Sequence, residues 1–258
     1  MMQNIMDKFS LAGKKAIVTG GAKGISYSIA EGLHEAGAQI VLIDLLDIVD
    51  KSAATLGKNG PAVYAVKGDL TVTEDLQRIY NESLEKLEGR VDIVVNGAGI
   101  QYRCIAEEFP IDKWKKIIDI NLNAVFFICQ LAARTMIKQG YGRIINIASM
   151  CSFFGATMIP AYTASKGGIM QLTKALSNEW ASKGINVNAI APGYIITELT
   201  ANMKTVNPQQ YEEATKRIPM GRWGEVDDLK GIAVFLASDA SQYITGATIP
   251  VDGGYLGK

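Results

Sequence analysis

The strongest constraint on this chain is a rhythm of short apolar runs separated by longer amphipathic stretches. The runs fall at 16–19, 40–43, 63–66, 92–96, 143–148 and 185–191, and segments with so little polar interruption read as strands buried on both faces. Between them lie helical patterns, among them SIAEGLHEAG, TEDLQRIYNESLEKLE, DKWKKIIDINLNAVFFICQLAARTMIKQ and ASKGGIMQLTKALSNEWASK. Each connection is long enough for a crossover helix, so the strands are expected to run parallel. The implied fold class is α/β: a doubly wound parallel sheet between two helical layers, with ligands bound at its carboxyl edge. No linker, low-complexity tract or internal repeat interrupts the pattern, and residues 1–258 are expected to form a single domain. Residues 198–224, ELTANMKTVNPQQYEEATKRIPMGRWG, break the rhythm, being polar and helical in pattern after the sixth strand. They serve as plain helical packing or as a substrate lid, and a lid is expected.

Charge and composition narrow the partners. Lysine plus arginine and aspartate plus glutamate both total 26, so no net field gathers nucleic acid or an anionic membrane, and a small neutral or mildly charged ligand is expected. Cys104, Cys129 and Cys151 are odd in number and far apart, fitting neither a disulfide framework nor a zinc knuckle; a reducing cytoplasm suits them. The start lacks the apolar core of a secretion signal, and no run approaches the roughly 20 apolar residues that span a bilayer, so a soluble cytoplasmic protein is expected. His34 is the sole histidine. A Ser-His-Asp relay or a histidine-rich metal site would have to be built around it, and its setting in AEGLHEAGA reads as an amphipathic helix, so a surface or packing role and no metal are expected.

The first strand runs directly into TGGAKGIS, Thr19 to Ser26, and a helix follows. Glycines there let the backbone turn sharply and approach a pyrophosphate, which the amides and dipole of a helix start favour. Gly20 makes the turn and Gly24 the close approach. The second strand ends at Asp44, about 20 residues beyond the glycines, where a carboxylate accepts both ribose hydroxyls of an adenosine. That favours NAD. Lys23 argues for NADP, since a base beside the ribose can meet a 2′-phosphate. Two unit charges about 4 Å apart at an effective dielectric near 20 interact by about 4 kcal/mol, so Asp44 against a phosphate outweighs an exposed Lys23. NAD is therefore expected, with NADP possible. Asp69, after the third strand, accepts the adenine amino group or caps the helix beginning TVTEDL. Asn96 to Gly99, NGAG, after the fourth strand again permits close backbone approach.

The chemistry gathers in IINIASM and AYTASK. Ser149 closes a strand, while Tyr162 and Lys166, four residues apart, share a helical face. A phenol has a pKa of about 10 and must fall roughly three units to work at neutral pH, at about 1.36 kcal/mol per unit. A neighbouring ammonium in a partly buried site is expected to supply that energy by itself. Tyr162 then removes a hydroxyl proton as hydride leaves for the cofactor, or returns it in reduction, and Ser149 donates a hydrogen bond to the carbonyl oxygen.

Taken together, Thr19-Gly20-xxx-Gly24, Asp44, Asn96-Gly97-Ala98-Gly99, Asn121, Ser149, Tyr162-xxx-Lys166, Pro192-Gly193 and the closing VDGG resemble the single-domain short-chain dehydrogenase/reductase family over essentially the whole chain. The resemblance implies a Rossmann-like, three-layer α/β/α fold and an NAD(P)-dependent oxidoreductase acting on CH–OH groups. It implies catalytic roles for Asn121, Ser149, Tyr162 and Lys166, with Asn121 bending its helix and holding a relay water. The implied cofactor set is Gly20, Lys23, Gly24, Ile25, Asp44, Asp69, Leu70, Asn96, Ala98, Tyr162, Lys166, Pro192, Gly193, Ile195 and Thr197, the last touching the carboxamide or the phosphates. A homotetramer pairing the helices around Asn121 and Tyr162 is implied as well. Two positions depart from the family pattern: its third glycine is Ser26, and the second asparagine of its Asn-Asn-Ala-Gly turn is Gly97. Slightly looser cofactor packing is expected.

The segments AGIQYRC, INIASMCSF, YTASKGG, NEWA, INVNAIAPGY and RIPMGRWG resemble most closely the family members that act on sugar acids, so the substrate is expected to be a sugar acid or polyol. Arg103 follows the NGAG turn, where its fork pairs with a carboxylate or stays a surface arginine. Gln101 and Tyr102 are candidates for sugar hydroxyls, and Ser149 and Tyr162 complete the substrate set. Two alternatives stand beside this reading. One is reduction of another ketone, including an acyl-carrier-linked 3-oxo ester that would meet Lys113, Lys115 and Lys116. The other is a dinucleotide-binding regulator without turnover, against which the complete set of Asn121, Ser149, Tyr162 and Lys166 argues.

Overall fold

The computed structural model describes residues 4–198 and 200–257. Six strands follow the apolar runs to within a residue or two: β1 (Lys15–Thr19), β2 (Gln39–Asp44), β3 (Val63–Lys67), β4 (Ile93–Asn96), β5 (Gly142–Ile147) and β6 (Ile185–Pro192). A two-residue pair, β7 (Ile195–Ile196) with β8 (Gly224–Glu225), and a last strand, β9 (Thr248–Val251), were not signalled, being too short or too polar to make a run. The seven long strands form one parallel sheet in the order β3-β2-β1-β4-β5-β6-β9.

Alternation along β1 explains the two layers. Ile17 packs on one face of the sheet, while Ala16 and Val18 pack on the other, because successive side chains of a strand point to opposite sides. The first face is covered by α3 (Thr73–Lys86), α5 (Ala124–Gln139) and α6 (Pro160–Trp180), through Ile79, Ile128 and Leu176 among others. The second is covered by α1 (Gly24–Glu35), α2 (Val49–Leu56) and α9 (Lys230–Ala237), through Ile29, Val49 and Leu236. Each such aliphatic side chain, fully withdrawn from water, contributes about 1.5–3 kcal/mol. His34 lies among them on α1, buried, its Nε2 2.9 Å from the Pro61 carbonyl oxygen, the packing rather than the surface alternative.

α4 (Ile111–Ile118) joins α5 without a break through a π-helical turn, Asp119–Asn123. The combined helix, Ile111–Gln139, is long and apolar enough to cross a bilayer, which corrects the expectation that no run approaches that composition. Half of its most apolar window is buried against the sheet and α6, and the apolar residues serve that packing.

β1 is flanked by β2 on one side and β4 on the other, so the chain leaves the carboxyl ends of β1 and β4 in opposite directions. A crevice opens there, as in other doubly wound sheets. Over its far end lie α7 (Met203–Val206) and α8 (Pro208–Lys216), gathered on a third, smaller apolar cluster of Met150, Ala214, Ile218, Trp223 and Tyr255. Trp223 holds the cluster, its ring 4.9 Å from that of Tyr194 and 4.7 Å from that of Tyr211.

Candidate active site

The turn after β1 is fixed before any ligand arrives. Gly20 has φ +67, and a Cβ there would come within 2.8 Å of the Ala98 Cα; only glycine tolerates both conditions. The Asp44 carboxylate at the end of β2 accepts the Ala22 amide at 3.0 Å through Oδ2 and the Leu46 amide at 3.0 Å through Oδ1. It thereby ties the glycine turn to the second strand and keeps further lone pairs for a hydroxyl. Gly24 opens α1 with φ +66 and free space where a Cβ would stand. A helix start with exposed amides and an uncluttered approach fits a dinucleotide pyrophosphate.

Thr19, quoted above only as part of a motif, organises the neighbouring turn. Its Oγ1 accepts the amides of Gly97 and Ala98 at 3.1 and 3.3 Å. The register Thr19↔Asn96↔Asn146 aligns three strand ends. The Asn96 side chain turns inward to Cys129 and to the Asn146 Oδ1 (3.0 Å) and is buried, and Leu70 is buried as well. Asp69 uses Oδ1 to accept the Thr71 amide and hydroxyl at 2.9 and 2.7 Å, closing its turn.

The two departures from the family pattern are one event. A Cβ on Gly97 would lie 2.1 Å from the Ser26 Oγ. The serine hydroxyl thus occupies the room that a larger residue at 97 would need, a matched exchange of volume within the turn.

On the chemical side, Asn121 sits fully buried in the π-helical turn. Its amide brackets Ile100, accepting from the backbone N at 2.9 Å and donating to the O at 3.0 Å, and donates to the Ser165 hydroxyl at 3.2 Å. A π turn adds one residue to the helical circuit and interrupts the ordinary ladder. Ser149 accepts the Cys151 amide at 3.1 Å and faces the Tyr162 phenol. Ser152, unmarked in the sequence, joins the loop to the helix: its hydroxyl accepts from the Ser149 amide at 3.3 Å and donates to the Lys166 carbonyl at 2.6 Å. Lys166 is buried, its Nζ donating to the Ile147 carbonyl at 2.5 Å and lying 5.7 Å from the centre of the Tyr162 ring.

The ionisation of this pair corrects one expectation. The ammonium does not by itself bring the phenol down. Burial pushes Tyr162 up to about 12, against the lowering effect of Ser149, and burial pulls Lys166 down to about 8. Each charge loses its hydration in the crevice, and at this separation the pair does not restore it.

Gln101 and Arg103 lie exposed on the loop after β4. The Cys104 amide of that loop donates to the Met158 carbonyl at 2.8 Å, seating the loop against the 153–159 stretch between Ser149 and Tyr162. Thr197 and Ile195 stand beyond β6, where the Thr197 amide donates to the Thr200 hydroxyl at 2.8 Å. Pro192 ends β6, and a Cβ on Gly193 would meet the Asp252 Cα at 2.6 Å.

Known proteins are similar to this chain over nearly its whole length. The family described as enoyl-(acyl carrier protein) reductase matches residues 20–256. The chain is 45% identical to 2-dehydro-3-deoxy-D-gluconate 5-dehydrogenase of Bacillus subtilis over 100% of both chains. It is 40% identical to gluconate 5-dehydrogenase of Gluconobacter oxydans over 96% of each. The crystal structure of a gluconate 5-dehydrogenase from Burkholderia cenocepacia, in complex with NADP and tartrate, matches with a TM-score of 0.90 at 40% identity, covering 99% of this chain and 100% of that one. With a seven-stranded parallel sheet, a glycine turn opening its first helix and a serine, tyrosine and lysine gathered at its carboxyl edge, this chain belongs to the short-chain dehydrogenase/reductase family.

Proposed function

We propose that the chain is a nicotinamide-dependent oxidoreductase that interconverts a secondary hydroxyl and a ketone on a sugar acid. The observation that carries this reading is the convergence of Ser149, Tyr162 and Lys166 beside a dinucleotide-shaped turn. The substrate class rests on the relatives named for gluconate and deoxy-gluconate derivatives.

The residues divide the work. The turn from Gly20 to Ile25 receives the pyrophosphate, Asp44 the adenosine ribose and Asp69 the adenine. Ala98, Pro192, Gly193, Ile195 and Thr197 line the path toward the nicotinamide, with the backbone of Asn96 and Leu70. When bound, the oxidised nicotinamide supplies the hydride acceptor and a positive charge. Tyr162 takes the hydroxyl proton, at Oη, and Ser149 orients the oxygen that loses it. Lys166, anchored to Ile147, holds the ribose and favours the phenolate only together with the nicotinamide charge. Asn121 fixes the Ile100 backbone and, through a water, passes the proton outward. Asp44 favours NAD, with NADP the second choice. Arg103 pairs with the substrate carboxylate, and Gln101 meets a hydroxyl.

The whole chain acts as one domain, with 198–224 as its lid over the substrate end. Exposed Ile111, Trp114 and Ile137 along the long helix support a homotetramer paired through it. Three free thiols suit a reducing cytoplasm. The test is a panel of gluconate, 5-keto-gluconate, 3-deoxy-2-keto-gluconate and neutral polyols with both nicotinamides, read by the absorbance of the reduced ring. Turnover of the acids is expected; turnover of polyols alone removes the role given to Arg103.

A further inference from the structure

The two walls of the crevice are joined across the rim by an ion pair. Lys23 stands at the start of α1 with extended backbone (φ −163, ψ 175), and its side chain makes no capping bond. Its Nζ lies 2.9 Å from the Glu198 Oε2, on the segment that leaves β7. The two residues are 175 positions apart, and neither shares a helix or sheet with the other. They meet because the segment after β7 folds back over the glycine turn. Both side chains remain open to solvent, at 43% and 73%.

The pair sits at a particular end of the turn. Lys23 follows Ala22, the residue whose amide the Asp44 carboxylate accepts at 3.0 Å. On the proposed placement of the adenosine, Lys23 and its partner Glu198 join Asp44 in one charge group, two carboxylates against one ammonium. A nucleotide with a free ribose 2′-hydroxyl leaves that group undisturbed, since a hydroxyl donates to Asp44 and asks nothing of Lys23. A 2′-phosphate brings about two further negative charges to the same place. Lys23 can meet it only by giving up Glu198, which then stands as an unpaired like charge beside it. A ligand shifts such an equilibrium only by its differential interaction with the two states, and only the phosphorylated nucleotide has one.

We infer that Glu198 is a specificity-determining residue, which by engaging Lys23 weights the protein toward NAD and against NADP. The inference rests on the proposed placement of the adenosine at Asp44 and Lys23.

Isothermal titration of the full-length protein with NAD⁺ and with NADP⁺ tests it in the parent, Glu198→Gln, Lys23→Gln and the double variant. The readout is the ratio of the two dissociation constants, which cancels any effect on the shared pyrophosphate. Glu198→Gln is expected to shift the ratio toward NADP⁺ by up to about 5-fold, the scale of an exposed ion pair. The shift should shrink at high salt and vanish in the Lys23→Gln background. An unchanged ratio in Glu198→Gln, or the same shift with and without Lys23, overturns the inference while leaving the nucleotide site intact. Failure of the parent to bind either nucleotide, or NADP⁺ binding indifferent to Lys23→Gln, overturns the placement of the adenosine and the inference with it.

Discussion

The wall of the crevice built from the loops after β1, β2 and β4 is knitted by backbone hydrogen bonds to Thr19 and Asp44 and by the close fit of Ser26 under Gly97. The opposite wall, beyond β6, rests on a small aromatic cluster, a two-residue strand pair and the exposed Lys23–Glu198 contact. The first wall has little freedom to change without disrupting the sheet ends that it caps. The second can be rebuilt at modest cost, because its contacts are local and partly solvated. A fixed wall suits a ligand common to many enzymes, and an adjustable wall suits one that differs between them.

Substitutions can break or sharpen that contrast. The largest effect is expected where the walls meet: Tyr162→Phe should lower turnover by ~10²–10⁴-fold, the range for loss of a general acid/base, with nucleotide affinity retained in a binding titration. Turnover unaltered by the change would remove the phenol from the mechanism.

Next comes the buried ammonium. Its pKa in the fold is about 8 against 10.5 for the unfolded chain, so between those values the unfolded chain binds more protons and stability rises with pH. At about 1.36 kcal/mol per unit the gain is ~3 kcal/mol across the window. Tyr162, raised by burial, opposes it only above about 10, the ordinary value for a phenol. Urea unfolding from pH 7 to 10 should show the parent gaining stability relative to Lys166→Met; a constant difference would mean that Lys166 is hydrated in solution.

The fixed wall is probed by Gly97→Asn, which forces a side chain onto the Ser26 hydroxyl and should cost ~1–3 kcal/mol as overpacking. Ser26→Gly in the same chain should restore most of it, and a double-mutant cycle in urea reads the coupling. Additive losses would show that the two positions relax independently. The adjustable wall is probed by Trp223→Leu. Losing its two ring contacts, at ~0.5–1.5 kcal/mol each, should cost ~1–3 kcal/mol beyond the buried area and raise KM for the sugar acid several-fold, with the nucleotide dissociation constants unmoved. An equal loss of nucleotide affinity would show that the walls are one unit.

The same contrast explains what the sequence disclosed. The long strands were legible because a strand buried on both faces must be apolar along its length, and Gly20, Asp44, Tyr162 and Lys166 because a ligand-facing turn or an ionisable pair admits few residue types. β7, β8 and β9 escaped because two-residue pairs and half-exposed edges leave no periodic trace. α2 and α9 are eight residues each, too short for a pattern to emerge. Thr19 and Ser152 act through hydroxyls that bridge segments distant in sequence, and no local signal separates them from other buried hydroxyls. Spacing reveals the charge beside Tyr162 but not the dehydration that both groups suffer, and so overstates what the ammonium does alone. Ser26 and Gly97 were each visible as exceptions, and only their contact shows that one compensates the other.

The π turn at Asp119–Asn123 makes chain length itself a determinant of the site. Each helical residue advances the side-chain direction by about 100°, and the turn absorbs one residue beyond the regular count. Removing one residue from it should close the widened turn into a regular α-helix and leave the phase of Ala124–Gln139 on the sheet unchanged, so that Ile128, Ala132 and Met136 keep their places while Asn121 loses the backbone of Ile100 and the Ser165 hydroxyl. A deletion within Ala124–Gln139 has no such reserve and should turn every later side chain away from the sheet, so drift in that segment should proceed by replacement at constant length.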